Sequence, residues 1–282
     1  MQTNTNSASD TLSEFPVIPA EANRHSGHSN VQTRIPSTSA VLSCLLRADL
    51  TTQWRNRKSF MLILIVPVII MISWKGVVDK LGSAFVLGNC ITIGLIAIGL
   101  MGYSNSVARD RDKGIFQRLR VAPLSAWSIM MSRLAIQMLM ILLMTTAVFV
   151  AGFYFDKISL SPVSYVLGYA AAIVGGAVYL GLGQMIVGLI KNAETVHSTS
   201  RLVYFIFIMV GMFGELGILG QQIGNLVHWS PYGTVKHILA SSAGPGTWDA
   251  GATKALIATI GYAFVFAVLG IKWFKWSGGE KG

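Results

Sequence analysis

Residues 108–127 read ARDRDKGIFQRLRVAPLSAW, and this stretch constrains the fold more than any other. It packs five Lys and Arg, from Arg109 to Arg120, between apolar runs long enough to cross a membrane on either side. A basic, partly amphipathic helix between two spans is costly to hide in lipid and must lie outside the bilayer. The chain is therefore expected to be a bundle in lipid with a cationic element projecting from one face.

The apolar runs follow one another along the chain. They are expected as six spans, at about 59–74, 85–107, 128–152, 163–190, 201–219 and 254–274. Only 12% of the residues are charged, against about 25% in a soluble domain. The first run is short and holds Pro67, so Arg57 and Lys58 are expected to reach back to the interface. Residues 1–40, rich in Ser, Thr, Asn and Pro, read as a disordered tail on the cytoplasmic side. They lack a basic and then apolar leader, so no secretory cleavage is expected. Residues 41–58 carry Leu42, Leu45, Leu46 and Leu50 at helical spacing and end in Trp54, Arg55, Arg57 and Lys58. They suit an amphipathic helix lying in the membrane surface, or one packed on a cytosolic partner. The transmembrane domain then occupies 59–276.

Charge sets the orientation. With the N-terminus inside, only Lys75, Lys80, Lys157, Lys236 and Lys254 of the twenty-two Lys and Arg fall outside. Cytoplasmic loops carry the cationic excess, so both termini are expected in the cytoplasm of a multi-pass plasma-membrane protein. Topology thus accounts for the net charge of +10 without nucleic acid. Trp54, Trp74, Trp127, Trp273 and Trp276 all stand at span ends, the level that amphipathic rings prefer. In the fourth span Gly168, Ala172 and Gly176, with Gly175 and Gly183 nearby, point to close helix contact. Residues 220–253 are too polar to span and too apolar for a free loop. They read as two short helices hinged at Ser230-Pro231, re-entrant or lying on the outer surface.

Chemistry is sparse. No phosphate-cradling G-x-x-x-x-G-K-[ST] loop is present, and Ser277-Gly278-Gly279-Glu280 follows a span with no nucleotide fold around it. Cys44 and Cys90 make neither a disulfide framework nor a metal pattern. His197, His228 and His237 form no acid–base pattern and read as interfacial. The centres of the first four spans hold no Asp, Glu, His or Arg. Glu215, near the outer end of the fifth, either lines a polar cavity or reaches the interface. Asn89, Thr92 and Asn105 on the second span suit interhelical hydrogen bonds ahead of substrate contact.

Asp112-Lys113-Gly114-Ile115-Phe116-Gln117-Arg118-Leu119-Arg120, followed by Ala122-Pro123-Leu124-Ser125, resembles a stretch of the ABC type-2 transporter permeases, with Ile115 where Thr is common. The surface helix and the helical segment before the last span match too, so the resemblance covers about 40–275. It implies an all-α membrane fold, a permease without enzymatic activity, and a pair of such subunits, identical or homologous. It also implies two separate ATPase subunits that hold ATP and Mg, this chain binding no cofactor. The implied coupling helix at about 109–120 presents Arg109, Asp110, Arg111, Asp112, Gly114, Phe116, Arg118 and Arg120 to the ATPase. Pro123 separates this lever from the third span. The implied pathway runs between the subunits along the first, second and fifth spans, with Phe60, Asn89, Phe205, Met209, Met212 and Glu215 as candidate lining. Export of a hydrophobic or amphipathic compound, such as a drug or antibiotic, is the leading expectation. A lipid-linked polysaccharide or teichoic-acid precursor is the alternative cargo. A membrane-embedded enzyme or scaffold is a more distant one.

Overall fold

The computed structural model describes residues 38–55, 57–115, 126–244 and 248–273. The expectations for the tail, for Phe116, Arg118, Arg120 and Pro123, and for the last nine residues lie outside these. Every regular element among the described residues is helical. Five helical stretches there are long and apolar enough to cross a membrane: 83–112, 129–156, 162–189, 193–215 and 250–273.

Helix α1 (Thr38–Arg55) lays one face on the start of the third span helix. Leu42, Leu45, Leu46, Asp49 and Gln53 turn toward the protein, while Leu50 and Trp54 are exposed. The inward stripe therefore runs through Asp49 rather than Leu50, a one-residue shift from the expected apolar face. Helix α2 (Arg57–Ser73) is the expected first span, and its apolar part, 63–73, is shorter than a bilayer requires. Helical bonding nevertheless continues through Trp74, whose N–H donates to Ile70 O (3.0 Å) and whose carbonyl accepts from Val78 N–H (3.1 Å). Helix α3 (Lys75–Leu81) so prolongs α2, and the left-handed Gly82 (φ 85°) ends it.

The second span is one helical path built from α4 (Ser83–Ile96), the π-helix π1 (Ala97–Ser104) and α5 (Asn105–Asp112). Helix α6 (Ala126–Asp156) returns across the bundle. Its end is fastened by Ile158 N–H to Gly152 O (3.1 Å), with Lys157 left-handed (φ 51°). Ser161 caps α7 (Pro162–Leu189) by accepting from Ser164 N–H (3.1 Å), and Pro162 occupies the first turn, where its missing N–H costs nothing. Asn192 caps α8 (Ala193–Glu215) by accepting from Glu194 N–H (2.8 Å). The fifth span helix therefore begins eight residues before the expected 201. Helices α9 (Gln221–Trp229) and α10 (Pro231–Ser242) meet at the expected Ser230-Pro231 hinge, and α11 (Ala250–Trp273) closes the chain.

Helix α7 is the centre of the bundle, packing most extensively on α11 and also on π1, α10 and α6. Its small residues make this possible. A Cβ on Gly168 would lie 2.7 Å from the Phe149 ring, and one on Gly176 would run into Ile141. At the tightest crossing, a Cβ on Gly99 would lie 2.5 Å from the Tyr179 carbonyl, while one on Gly183 would strike Gly99 O. Helices α8 and α11 are by contrast largely uncovered, exposing Leu202, Phe205, Ile206, Ile257, Phe264 and Ile271. Such a belt suits lipid, where apolar side chains need no cover.

Candidate functional site

The cationic stretch begins as the tail of the second span rather than as a separate helix. Residues 105–112 continue that helix. It stops where Lys113 N–H donates to Arg109 O and Gly114 N–H to Arg111 O, both at 3.0 Å, with Gly114 left-handed at φ 67°. A side chain in that conformation costs about 1–2 kcal/mol, so glycine is the residue that fits. A single helix over 109–120 is therefore corrected to a span end at Asp112 followed by a turn at 113–114, with 116–120 outside the described residues. Arg109, Asp112 and Lys113 are exposed at this tip, and Gly114 and Ile115 are half-buried.

Arg111 points inward instead. It is 2% exposed, and its guanidinium donates to three backbone carbonyls: Val187 (2.7 Å), Ile190 (2.6 Å) and Lys191 (2.8 Å). These lie at the C-terminal end of α7 and just beyond, where a helix leaves its last carbonyls without intrahelical donors and carries partial negative charge. Asp110 is likewise engaged within the chain, pairing with Arg133 of α6 at 2.6 Å. Neither Arg111 nor Asp110 is presented outward as a docking side chain.

Further polar contacts gather at the same end. Ser132 of α6 donates to Asp49 of α1, and Ser104 lies 2.9 Å from Ser200 of α8, oxygen to oxygen. Tyr103 OH donates to Gln184 of α7 (2.7 Å). A cavity of about 40 Å³, large enough for water, is lined by Asp49, Gln53, Tyr103, Asp110, Arg133 and Gln137 among others. Lys191, Glu194 and Arg201 are exposed in the turn between α7 and α8 and in the first turns of α8. The basic end of the second span thus touches α6, α7 and α8 through hydrogen bonds and an ion pair.

The candidate pathway residues divide. Asn89 is fully buried, accepting from Tyr232 OH (2.6 Å) and donating to Phe85 O (3.0 Å). It fastens α10 to α4 and presents no surface to a cargo, which corrects its expected lining role. Glu215 has a partner that its own neighbourhood in the sequence does not reveal. Lys236 Nζ lies 2.6 Å from its Oε2, with side-chain exposures of 13% and 11%, and also 4.3 Å from the Phe85 ring centroid. The contact is a close charge pair without hydrogen-bond alignment. Phe205 is exposed and Met209 and Met212 are half-buried on α8. The Phe60 side chain lies outside the described ones.

Helix α10 is buried through Tyr232, Val235, Ile238 and Leu239, whereas α9 leaves Ile223, Leu226 and Trp229 exposed. His237 and His228 meet edge-on with ring centroids 5.3 Å apart, and His237 Nε2 is 3.9 Å from Asp249. Burial, and then the neighbouring His228, push the His237 imidazole below its ordinary range.

Among known proteins, residues 40–232 match the family described as ABC-2 type transporter. The chain is also similar to a protein of Bacillus subtilis (strain 168) named "Putative transport permease YvfS". The two are 22% identical over 232 residues, which cover 79% of this chain and 92% of that protein.

Proposed function

This chain belongs to the ABC-2 type transporter family, and on that premise we propose that it is half of an exporter whose ATPase subunits are separate chains. It is a multi-pass membrane permease of an ABC transporter. In the proposed assembly two permeases, each with six spans, stand in the plasma membrane with all termini in the cytoplasm. Two ATPases carrying ATP and Mg dock beneath. The cargo is a hydrophobic or amphipathic compound of the drug or antibiotic kind, moved out of the cytoplasm or inner leaflet.

The observation that carries the reading is the tip at Arg109, Asp112 and Lys113. It is charged and exposed, and it continues directly from a span whose end is bonded to three other helices. A partner that grips this tip moves those helices with it. Arg118 and Arg120 extend the same charged stretch in sequence. The exposed apolar face of α8 around Phe205 supports an amphipathic cargo or a second permease.

Purification of the tagged chain from native membranes tests the docking. An ATP-binding subunit is expected to accompany it. Arg118→Glu combined with Arg120→Glu is expected to reduce that co-purification while membrane insertion is unchanged. Full recovery of the ATPase with the double variant would sink the docking role. Stimulation of the complex's ATP hydrolysis across a panel of amphipathic compounds tests the cargo class, and stimulation only by lipid-linked glycans would replace it.

A further inference from the structure

The guanidinium of Arg111 bridges two parts of the chain that the sequence separates by more than seventy residues. On one side is the tip of the second span, and on the other is the junction between α7 and α8. We propose that Arg111 is a positioning residue for transport, making the tip of the second span and the α7–α8 junction a single moving body. The proposal rests on the reading that an ATPase pushes on this tip.

Three observations support it. First, the chemistry is specific to arginine. A planar fork reaches three carbonyls of one helix end at once, whereas a lysine ammonium is a point charge on a flexible stem. Second, the arrangement is costly to keep. A cation at 2% exposure is held by carbonyls, and its Nε–H has no partner among the described residues. A helix end that needed only capping is served by water or a glycine turn. Third, the bridge is duplicated. Seven residues earlier on the same helical path, Ser104 meets Ser200 of α8 at 2.9 Å. Force on Arg109, Asp112 or Lys113 therefore reaches the start of α8 without crossing the apolar core, and α8 carries the exposed face around Phe205.

Electron-spin distance measurements on the full chain in lipid nanodiscs, with its co-purified ATPase, test this. Nitroxides at Lys113→Cys and Arg201→Cys, both exposed positions, are placed in a Cys44→Ser, Cys90→Ala background. The parent is expected to show one narrow distance that stays put when ATP is added, because both labels ride on one body. Arg111→Met is expected to broaden the distribution, add a longer population and make the distance respond to ATP. A simple capping role would lower thermal stability without creating that ATP response. Arg111→Met with the parent's distribution, with and without ATP, overturns the proposal. If Arg111→Met fails to insert, Arg111→Lys carries the test, and a parent-like distribution in it is equally fatal. Should no ATPase co-purify, the docking reading fails, while the nucleotide-free width still decides the role of Arg111.

Discussion

Removing one member of the Glu215–Lys236 pair and leaving the other is the most informative perturbation of the end opposite the basic tip. The two side chains are about nine-tenths covered and their charged atoms lie 2.6 Å apart. A buried charge stripped of its partner costs about 3–5 kcal/mol, because desolvation is no longer offset by attraction. Lys236→Met also forfeits the contact with the Phe85 ring, worth about 1–2 kcal/mol where water is excluded. Lys236→Met is therefore expected to be the more damaging single change, and Glu215→Gln the milder, since the Lys236 ammonium then keeps the Phe85 ring and a polar amide beside it. The double variant Glu215→Gln, Lys236→Met removes both charges and is expected to recover a large part of the loss. Reversible unfolding in mixed micelles, titrated with a denaturing detergent, gives the four stabilities and the coupling energy between the sites. A coupling below about 1 kcal/mol would place the pair among exposed ion pairs and refute the reasoning.

Other outcomes follow from single contacts. Tyr232→Phe leaves Asn89 Oδ1 without the hydroxyl that serves it and is expected to cost about 1–3 kcal/mol in the same unfolding measurement. Gly99→Val forces a branched side chain against the Tyr179 carbonyl, 2.5 Å from an added Cβ. It is expected to destabilise by at least the roughly 1–3 kcal/mol of an overpacked core. His237, whose pKa is lowered first by burial and then by His228 and Lys236, against the opposing pull of Asp249 and Glu215, binds its proton more weakly folded than unfolded. Its stabilising contribution is therefore present above the unfolded value of about 6.5 and lost as the pH falls from there through the lower folded value. The unfolding midpoint of the wild type is expected to drop between about pH 7 and 5 more steeply than that of His237→Gln. Equal slopes would remove His237 from the account.

The helices were legible because apolar length and local stop signals agree. Ser161-Pro162, Ser230-Pro231 and Gly114 each mark an observed boundary. The start of α8 was missed because Glu194, His197 and Arg201 lower its hydropathy. The signal that finds it is Asn192 as a cap, with Glu194 in the first turn. The π segment at 97–104 has no signature in Ala-Ile-Gly-Leu-Met-Gly-Tyr-Ser, because hydrogen-bond register is a property of the backbone and not of side-chain periodicity. The site divided along the same line. A run of cations announces a polar tip, yet nothing in Arg109, Arg111 and Lys113 says which one folds inward. That choice depends on where the carbonyls at the end of α7 arrive, and packing between distant helices sets it. The alternation of spans places Lys236 in an outer loop but does not pair it with Glu215, which lies across a hinge twenty-one residues away.

The polar contacts of the second span are unevenly spread along its length. Arg111, Asp110 and Ser104 hold one end, and Asn89 holds α10 near the other. Between them sits the crossing where Gly99 meets the backbone of α7 at Tyr179 and Gly183. A close crossing of two backbones resists sliding, since any axial shift drives a neighbouring side chain into the gap. From Gly99 the helix runs thirteen residues to Asp112 and sixteen back to Ser83, or about 20 Å and 24 Å at 1.5 Å per residue. Because Arg111 also bonds the tip to the end of α7, one turn beyond Gly183, a displaced tip carries α7 along with the second span toward its far end. There it meets α10 through Asn89 and Tyr232, and through α10 the Glu215–Lys236 pair. Transmission by this route needs the crossing to stay closed and the ends to stay bonded. The design therefore concentrates its small residues at the middle and its hydrogen bonds and charges at the two ends.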